Sequence, residues 1–152
     1  MKLHTREMTK EYAIEILNWK YLPPYDIYNL DFNDEAILDF LVHSYMAILN
    51  QDNQLIGFYC TGTSAQVPKG YEYNVYEEDY VDIGVGLKPD LTGQGFGKEF
   101  MLYVLSEIGK DKLRLTVAAF NERAIRLYKR FGFQEVAKFS NTKNDFIVMI
   151  KA

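Results

Sequence analysis

Cysteine is almost absent from this chain of 152 residues: Cys60 stands alone, so an intrachain disulfide is excluded. Histidine is nearly as scarce, at His4 and His43, and with one cysteine no zinc-ligand spacing can be assembled, so no metal is expected. No apolar run approaches the ~20 residues that a membrane-spanning helix needs. The stretch Met1–Tyr12 is polar and mixed in charge and does not read as a signal peptide. These absences set the expectation of a cytoplasmic protein in a reducing compartment, with no membrane partner. A dense basic run is missing too. The 17 basic and 21 acidic side chains give a net charge of −4, which speaks against a nucleic-acid partner. There is no internal repeat and no low-complexity tract.

What is present suits one compact domain over residues 1–152 with a real core: 48% of residues are hydrophobic and 25% charged. The 12 Tyr and 10 Phe suggest a bulky core and a cleft partly lined by Tyr. The acidic residues Glu72, Glu77, Glu78, Asp79 and Asp82 read either as a solvated loop face or as a lure for a cationic partner such as an amine. Cys60 ends the apolar run Leu55–Cys60 and reads as a small buried hydrophobe.

Periodicity and stop signals divide the chain into elements. Met1–Met8 reads as a first strand. Thr9 is placed to cap a helix over Lys10–Lys20, which Pro23 and Pro24 stop. Asn33 is placed to cap a second helix with Ile37, Phe40 and Leu41 inward. Ser44–Asn50 and Gln54–Thr61 read as a hairpin around Gln51-Asp52-Asn53. Ser64–Tyr80 is a polar, Tyr-rich excursion, and Tyr80–Leu87 a further strand ended by Pro89. Gly95–Gly109 carries Phe96, Phe100, Met101, Val104, Leu105 and Ile108 at helical spacing. Lys112–Phe120 reads as a strand, Asn121–Phe131 as a helix stopped by Gly132, and Phe133–Phe139 and Phe146–Lys151 as two closing strands. The order β-α-α-β-β-β-α-β-α-β-β mixes hairpins with crossovers, which predicts an α/β (α+β) chain with a mixed sheet and helices on both faces.

The chemistry concentrates in Tyr80–Phe100. A strand ends at a proline, a glycine-rich turn follows, and a helix begins at once. The first helical turn offers main-chain N–H groups and the positive end of the dipole. Gly93, Gly95 and Gly97 remove the Cβ atoms that keep an anion away from them. The pattern is a phosphate cradle. It fails the nucleotide-hydrolase pattern G-x-x-x-x-G-K-[ST] at Thr92 and Glu99, and the dinucleotide pattern G-x-G-x-x-G at Lys98.

Leu87–Lys98 resembles motif A of the GCN5-related N-acetyltransferases, whose pattern Q/R-x-x-G-x-G/A falls on Thr92-Gly93-Gln94-Gly95-Phe96-Gly97. Thr92 departs from the usual Gln or Arg, which leaves the backbone cradle intact but removes one long side chain near the phosphates. Ala119–Phe133 also looks like the family's second signature, in which Asn, Ala, Tyr and Gly-Phe recur. The resemblance spans nearly the whole chain. It implies a mixed, mostly antiparallel sheet of about seven strands with the fourth and fifth splayed apart. It implies direct transfer of acetyl from acetyl-CoA to the primary amine of a small molecule or peptide, with no metal. A homodimer is among the expectations, since dimers are common among relatives. The alternative is a non-catalytic acyl-CoA-binding regulatory module on the same fold.

The resemblance also distributes roles. The pantetheine arm would pair with backbone around Gly86, Leu87 and Lys88, where Gly84 and Gly86 otherwise read as tight packing positions. A main-chain N–H near Leu87 would polarise the thioester carbonyl. The diphosphate would sit on the amides of Gly93, Gln94, Gly95, Phe96, Gly97 and Lys98, with Lys98 either adding charge or merely solvated. Tyr128, seven residues after the cap Asn121, would be the acid at the departing sulfur; a phenol of pKa ~10 stays protonated at neutral pH. Asn121 would contact the arm. Asp82, five residues before Leu87, is the candidate base, read equally well as a hydrogen-bonded carboxylate at a strand start. Glu72 and Glu78 are weaker candidates, and some relatives use water chains instead. The acceptor pocket would draw on Trp19–Asn29 and Ser64–Tyr80, with Tyr21, Tyr25, Tyr28, Tyr71, Tyr73 and Tyr76.

Overall fold

The computed structural model of the chain describes residues 2–152. Met1, at the head of the expected first strand, lies outside the described residues. The elements follow the order that the periodicity predicts. They are β1 (His4–Glu7), α1 (Lys10–Leu17), α2 (Asp34–Val42), β2 (Tyr45–Leu49), β3 (Leu55–Thr61), β4 (Val81–Leu87), α3 (Gly97–Ile108), β5 (Leu113–Ala118), α4 (Glu122–Arg130), β6 (Gln134–Ser140) and β7 (Asp145–Lys151). The sheet has seven strands in the order β1-β2-β3-β4-β5-β7-β6. Strands β4 and β5 run parallel, while β1–β2, β2–β3, β5–β7 and β6–β7 are antiparallel.

Two compact units divide the chain, Met1–Cys60 with Val85–Val104, and Thr61–Gly84 with Leu105–Ala152. In the first, Ala13, Ile16, Leu17, Trp19, Ile37, Phe40, Ala47, Leu49 and Leu55 form one buried cluster. Its helices start where capping side chains sit. Thr9 Oγ1 accepts from the Tyr12 amide at 3.2 Å, and Asn33 Oδ1 accepts from the Ala36 amide at 2.7 Å. Helix α1 stops at Leu17, earlier than the apolar pattern suggests. Asn18 donates from its side chain to Ile14 O at 3.0 Å and becomes the C-cap, and Trp19 then turns into the core against Phe58. The β2–β3 turn is organised by buried Asn50, whose Oδ1 accepts from the Asp52 and Gln54 amides at 2.9 and 3.0 Å, with Asn53 in the left-handed region.

In the second unit β5 is buried almost throughout, and it pairs with β7 through six residue pairs, Leu113↔Lys151 to Ala118↔Phe146. Its parallel register with β4 comprises Val81↔Leu113 and Asp82↔Arg114, at the N-terminal end of β4. The polar excursion after β3 is wound into 3-10 turns at Gly62–Ala65 and Pro68–Tyr73. Helix α4 is capped by Asn121, whose Oδ1 accepts from the Ala124 amide at 3.2 Å, and Gly132 follows its end at φ +95°.

Candidate functional site

The candidate residues fall on both units, and each unit carries its own constellation. In the first, β4 ends at Leu87 and a tight turn leads into α3. Gly93 and Gly95 adopt φ +72° and +80°, a region that side-chain-bearing residues occupy at a cost, so the turn requires both glycines. The side chains of Thr92 and Gln94 brace the turn by donating to Pro89 O and Asp90 O. The first i→i−4 bond of α3 runs from the Phe100 amide to Phe96 O at 3.1 Å, so the Gly97 and Lys98 amides lie in the turn ahead of the ladder. A Cβ at Gly95 would meet nothing within 4 Å. Donors, dipole and open space together fit a bound anion such as a diphosphate. Lys98 is exposed beside them, and the Phe96 ring lies 6.4 Å from that of Phe100.

Gly86 has a packing reason of its own. A Cβ there would stand 2.2 Å from the Phe58 ring, and one at Gly57 would stand 2.5 Å from Phe100 and 2.7 Å from Gly86 O. Of the two readings of a strand glycine, close packing therefore accounts for Gly86. The next peptide is held at both ends. The Tyr21 hydroxyl donates to Leu87 O at 2.6 Å, and the Lys88 amide donates to Ile56 O at 2.8 Å. Burial, with a smaller contribution from Tyr28, pushes the Tyr21 phenol up to about 12.

In the second unit Asp82 is 4% exposed and clasped by Arg114, itself 3% exposed. Arg114 Nε donates to Asp82 Oδ1 at 2.6 Å and Nη2 to Oδ2 at 2.7 Å, while Gln66 Nε2 adds a third bond to Oδ2 at 2.8 Å. Arg114 Nη1 reaches Glu78 O at 3.0 Å, and the guanidinium lies 5.2 and 5.6 Å from the ring centroids of Tyr76 and Tyr80. Hydrogen bonding to Asp82 raises the guanidinium further above its ordinary value. A carboxylate with both oxygens so engaged fits the second of its two readings, a hydrogen-bonded carboxylate at a strand start, and acts as an anchor for Arg114. Tyr76 hydrogen-bonds Thr116 Oγ1 at 2.7 Å and accepts from the Val67 amide at 3.0 Å, and burial pushes its phenol up. Tyr71 donates to Gln66 Oε1, so part of the Tyr-rich segment is tied into the same network. Tyr128 is half-buried near the end of α4, its ring edge-on to Phe133 at 6.1 Å.

Arg114, Gln66 and the Tyr21–Leu87 contact were not found by reading the sequence. One signal existed for Arg114: a charge near the start of a short apolar strand expected to be covered on both faces needs a buried partner. Among the described residues no group of acidic, His or Cys side chains is arranged to hold a metal, and no helix is long and apolar enough to cross a membrane.

A seven-stranded sheet with a parallel β4–β5 pair carries, between its fourth strand and third helix, a glycine-rich turn whose open amides could take an anion. The sequence matches the family model described as "Acetyltransferase (GNAT) family" over residues 9–133, and the chain belongs to that family. A 69-residue segment is 38% identical to thialysine N-epsilon-acetyltransferase of Bos taurus, covering 43% of this chain and 37% of that protein. Among solved structures the fold is similar to a chimera of the spermidine N-acetyltransferase SpeG from Vibrio cholerae and hSSAT. That likeness has a TM-score of 0.72 at 19% identity, over 99% of this chain and 95% of the other. It is also similar to the aminoglycoside acetyltransferase AAC(6')-Ib in complex with coenzyme A, with a TM-score of 0.74 at 15% identity over the same shares.

Proposed function

We propose that the chain transfers an acetyl group from acetyl-CoA directly to the primary amine of a small molecule or peptide. The observation that carries this is the pair of left-handed glycines, Gly93 and Gly95, opening onto the start of α3. The named relatives are enzymes of spermidine, thialysine and aminoglycosides, all amines. The exposed acidic side chains Glu72, Glu77, Glu78 and Asp79 support a cationic acceptor.

Bound acetyl-CoA supplies an acyl group already activated as a thioester. The amides of Gly93, Gln94, Gly95, Phe96, Gly97 and Lys98 hold its diphosphate, and the Lys98 ammonium adds charge. Thr92 braces that turn rather than reaching the phosphates. Successive amides of a strand point to opposite edges, so with the Lys88 amide bonded to β3 the Leu87 amide faces away from β3. It is the donor to the acyl carbonyl, with the backbone of Gly86–Lys88 alongside the arm. Asn121 steadies the arm as well as capping α4. The Tyr128 phenol holds the proton that the departing sulfur takes up. The amine, with pKa ~10, loses its proton through water, because Asp82 is occupied by Arg114 and Gln66.

The test is an amine panel with acetyl-CoA, read by release of free thiol, for the wild type and Tyr128→Phe. Turnover on a cationic amine, with kcat falling by on the order of 10²-fold in Tyr128→Phe and CoA affinity held, is expected. CoA binding without turnover on any amine would instead favour a non-catalytic binding module.

A further inference from the structure

We propose that Tyr21 is a positioning residue for acyl transfer, its hydroxyl holding the carbonyl of Leu87 so that the Leu87 amide keeps one direction. This deepens the function proposed above and rests on the Leu87 amide being the donor to the acyl carbonyl.

A main-chain donor works by being aimed before the reaction begins, and a misplacement of about 1 Å costs on the order of 10² in rate. The Leu87 amide stands in a place where drift is easy, since its upstream neighbour is Gly86, a residue with broad backbone freedom. Two constraints remove that freedom. Upstream, the Phe58 ring packs so closely on Gly86 that no Cβ fits between them. Downstream, the Leu87–Lys88 peptide is a rigid plane held at its oxygen by Tyr21, at 2.6 Å, and at its nitrogen by Ile56 O, at 2.8 Å. A plane gripped at both ends cannot rock, which restrains Leu87 ψ and the position of the Leu87 Cα; the adjoining Gly86–Leu87 plane, which carries the Leu87 N–H, then turns only about Leu87 φ and at Gly86, where the Phe58 ring packs.

Tyr21 is itself held. Its main-chain N–H donates to Asn29 Oδ1 at 2.7 Å, the Asn29 amide donates to Asp26 O at 3.1 Å, and its ring meets Tyr28 edge-on at 6.3 Å. The segment 21–29 is thus a closed clamp across the two prolines, with the hydroxyl at its working end. Burial keeps that hydroxyl protonated far above neutral pH, so toward Leu87 O it is a permanent donor. The hydroxyl bonds Leu87 O, ahead of the turn that carries the diphosphate cradle. The role is therefore expected to weigh more on the transfer step than on coenzyme binding.

The experiment compares the wild-type chain with Tyr21→Phe, which keeps the ring and removes only the hydroxyl. Steady-state kinetics with a saturating amine, calorimetric titration with CoA, thermal melting and hydrogen exchange at the Lys88 amide are measured on both. We expect kcat to fall roughly tenfold, less than the 10²–10³ of deleting an oxyanion donor outright. KM for acetyl-CoA and the CoA dissociation constant stay within about twofold, and the Lys88 amide exchanges several-fold faster as its peptide loosens. An unchanged kcat in a variant whose parent turns over overturns the role. So does a fall in kcat matched by an equal loss of CoA affinity and of melting temperature, which marks a merely structural contact. A wild-type chain that binds no CoA defeats the acetyl-transfer reading itself, and this role with it. An unaltered kcat in an active parent defeats this role alone.

Discussion

Replacing Asp82 by Asn separates anchor from base. The substitution keeps the side chain's shape but removes the charge facing Arg114, and it turns one of two accepting oxygens into a donor. Three donors now point at that oxygen pair: Arg114 Nε, Arg114 Nη2 and Gln66 Nε2, all within 2.6–2.8 Å. At least one meets another donor, and the guanidinium is left buried with its charge unbalanced. Removing one partner of a buried ion pair costs about 3–5 kcal/mol. The retained oxygen, the Glu78 carbonyl and the Tyr76 and Tyr80 rings soften that, so ~3 kcal/mol is expected. For a chain of this size that lowers the melting temperature by roughly 6–12 °C. Urea denaturation gives the free energy, and the pH–rate profile of the folded variant gives the chemistry. An anchor predicts a large stability loss with the acidic limb of the profile retained. Removing both charges, Asp82→Leu with Arg114→Met, should recover most of the loss, because no unpaired charge remains. Asp82→Asn with wild-type stability and a flattened acidic limb would refute the anchor and restore Asp82 as the base.

Other outcomes test the first unit. Gly95→Glu should abolish CoA binding in calorimetry, since a carboxylate enters the space over the cradle, while Gly95→Ala reports the backbone strain alone, ~1–2 kcal/mol by denaturation. Retained affinity in Gly95→Glu would count against the cradle. Gly86→Ala should destabilise by ~1–3 kcal/mol because its Cβ overlaps Phe58, and adding Phe58→Leu should return part of that, as urea midpoints would reveal. Tyr21 makes the fold sensitive to alkali. Its folded pKa of about 12 exceeds the ordinary value of 10.0, so its contribution is complete below pH ~10 and drains away as pH rises through about 12. The stability gap between wild type and Tyr21→Phe should narrow by ~2 kcal/mol between about pH 9 and 11.5, and a constant gap would show that the phenol is not desolvated.

Local signals were legible because local chemistry decides them. Thr9, Asn33 and Asn121 each cap a helix with their own side-chain oxygen, and Gly93 and Gly95 take left-handed angles that the glycine-rich turn advertised. Element boundaries were less legible. The apolar pattern carried α1 toward Lys20, whereas the Asn18 side chain bonds back to Ile14 O and ends it earlier. Contacts between distant segments left no trace in periodicity. Asp82 and Arg114 are 32 residues apart, and Tyr21 and Leu87 are 66 apart. The alternation of Leu113, Leu115 and Val117 pointed one face of β5 inward and said nothing of what covers Arg114 on the other. So the left-handed turn at Gly93 and Gly95, a matter of consecutive residues, was read in place. For Asp82 the sequence left a base and a hydrogen-bonded carboxylate side by side, because its partners Arg114 and Gln66 come from other segments.

The turn before α3 owes its shape to missing side chains. Where recognition is done by peptide groups, Thr92 and Gln94 matter through the bonds that brace the turn, and filling Gly93 or Gly95 is the costlier change. Such a motif is under-determined at the level of letters and tightly determined at the level of torsions. Lineages can then wander in sequence while the architecture stays put, as chains 15–19% identical to this one with TM-scores of 0.72–0.74 illustrate.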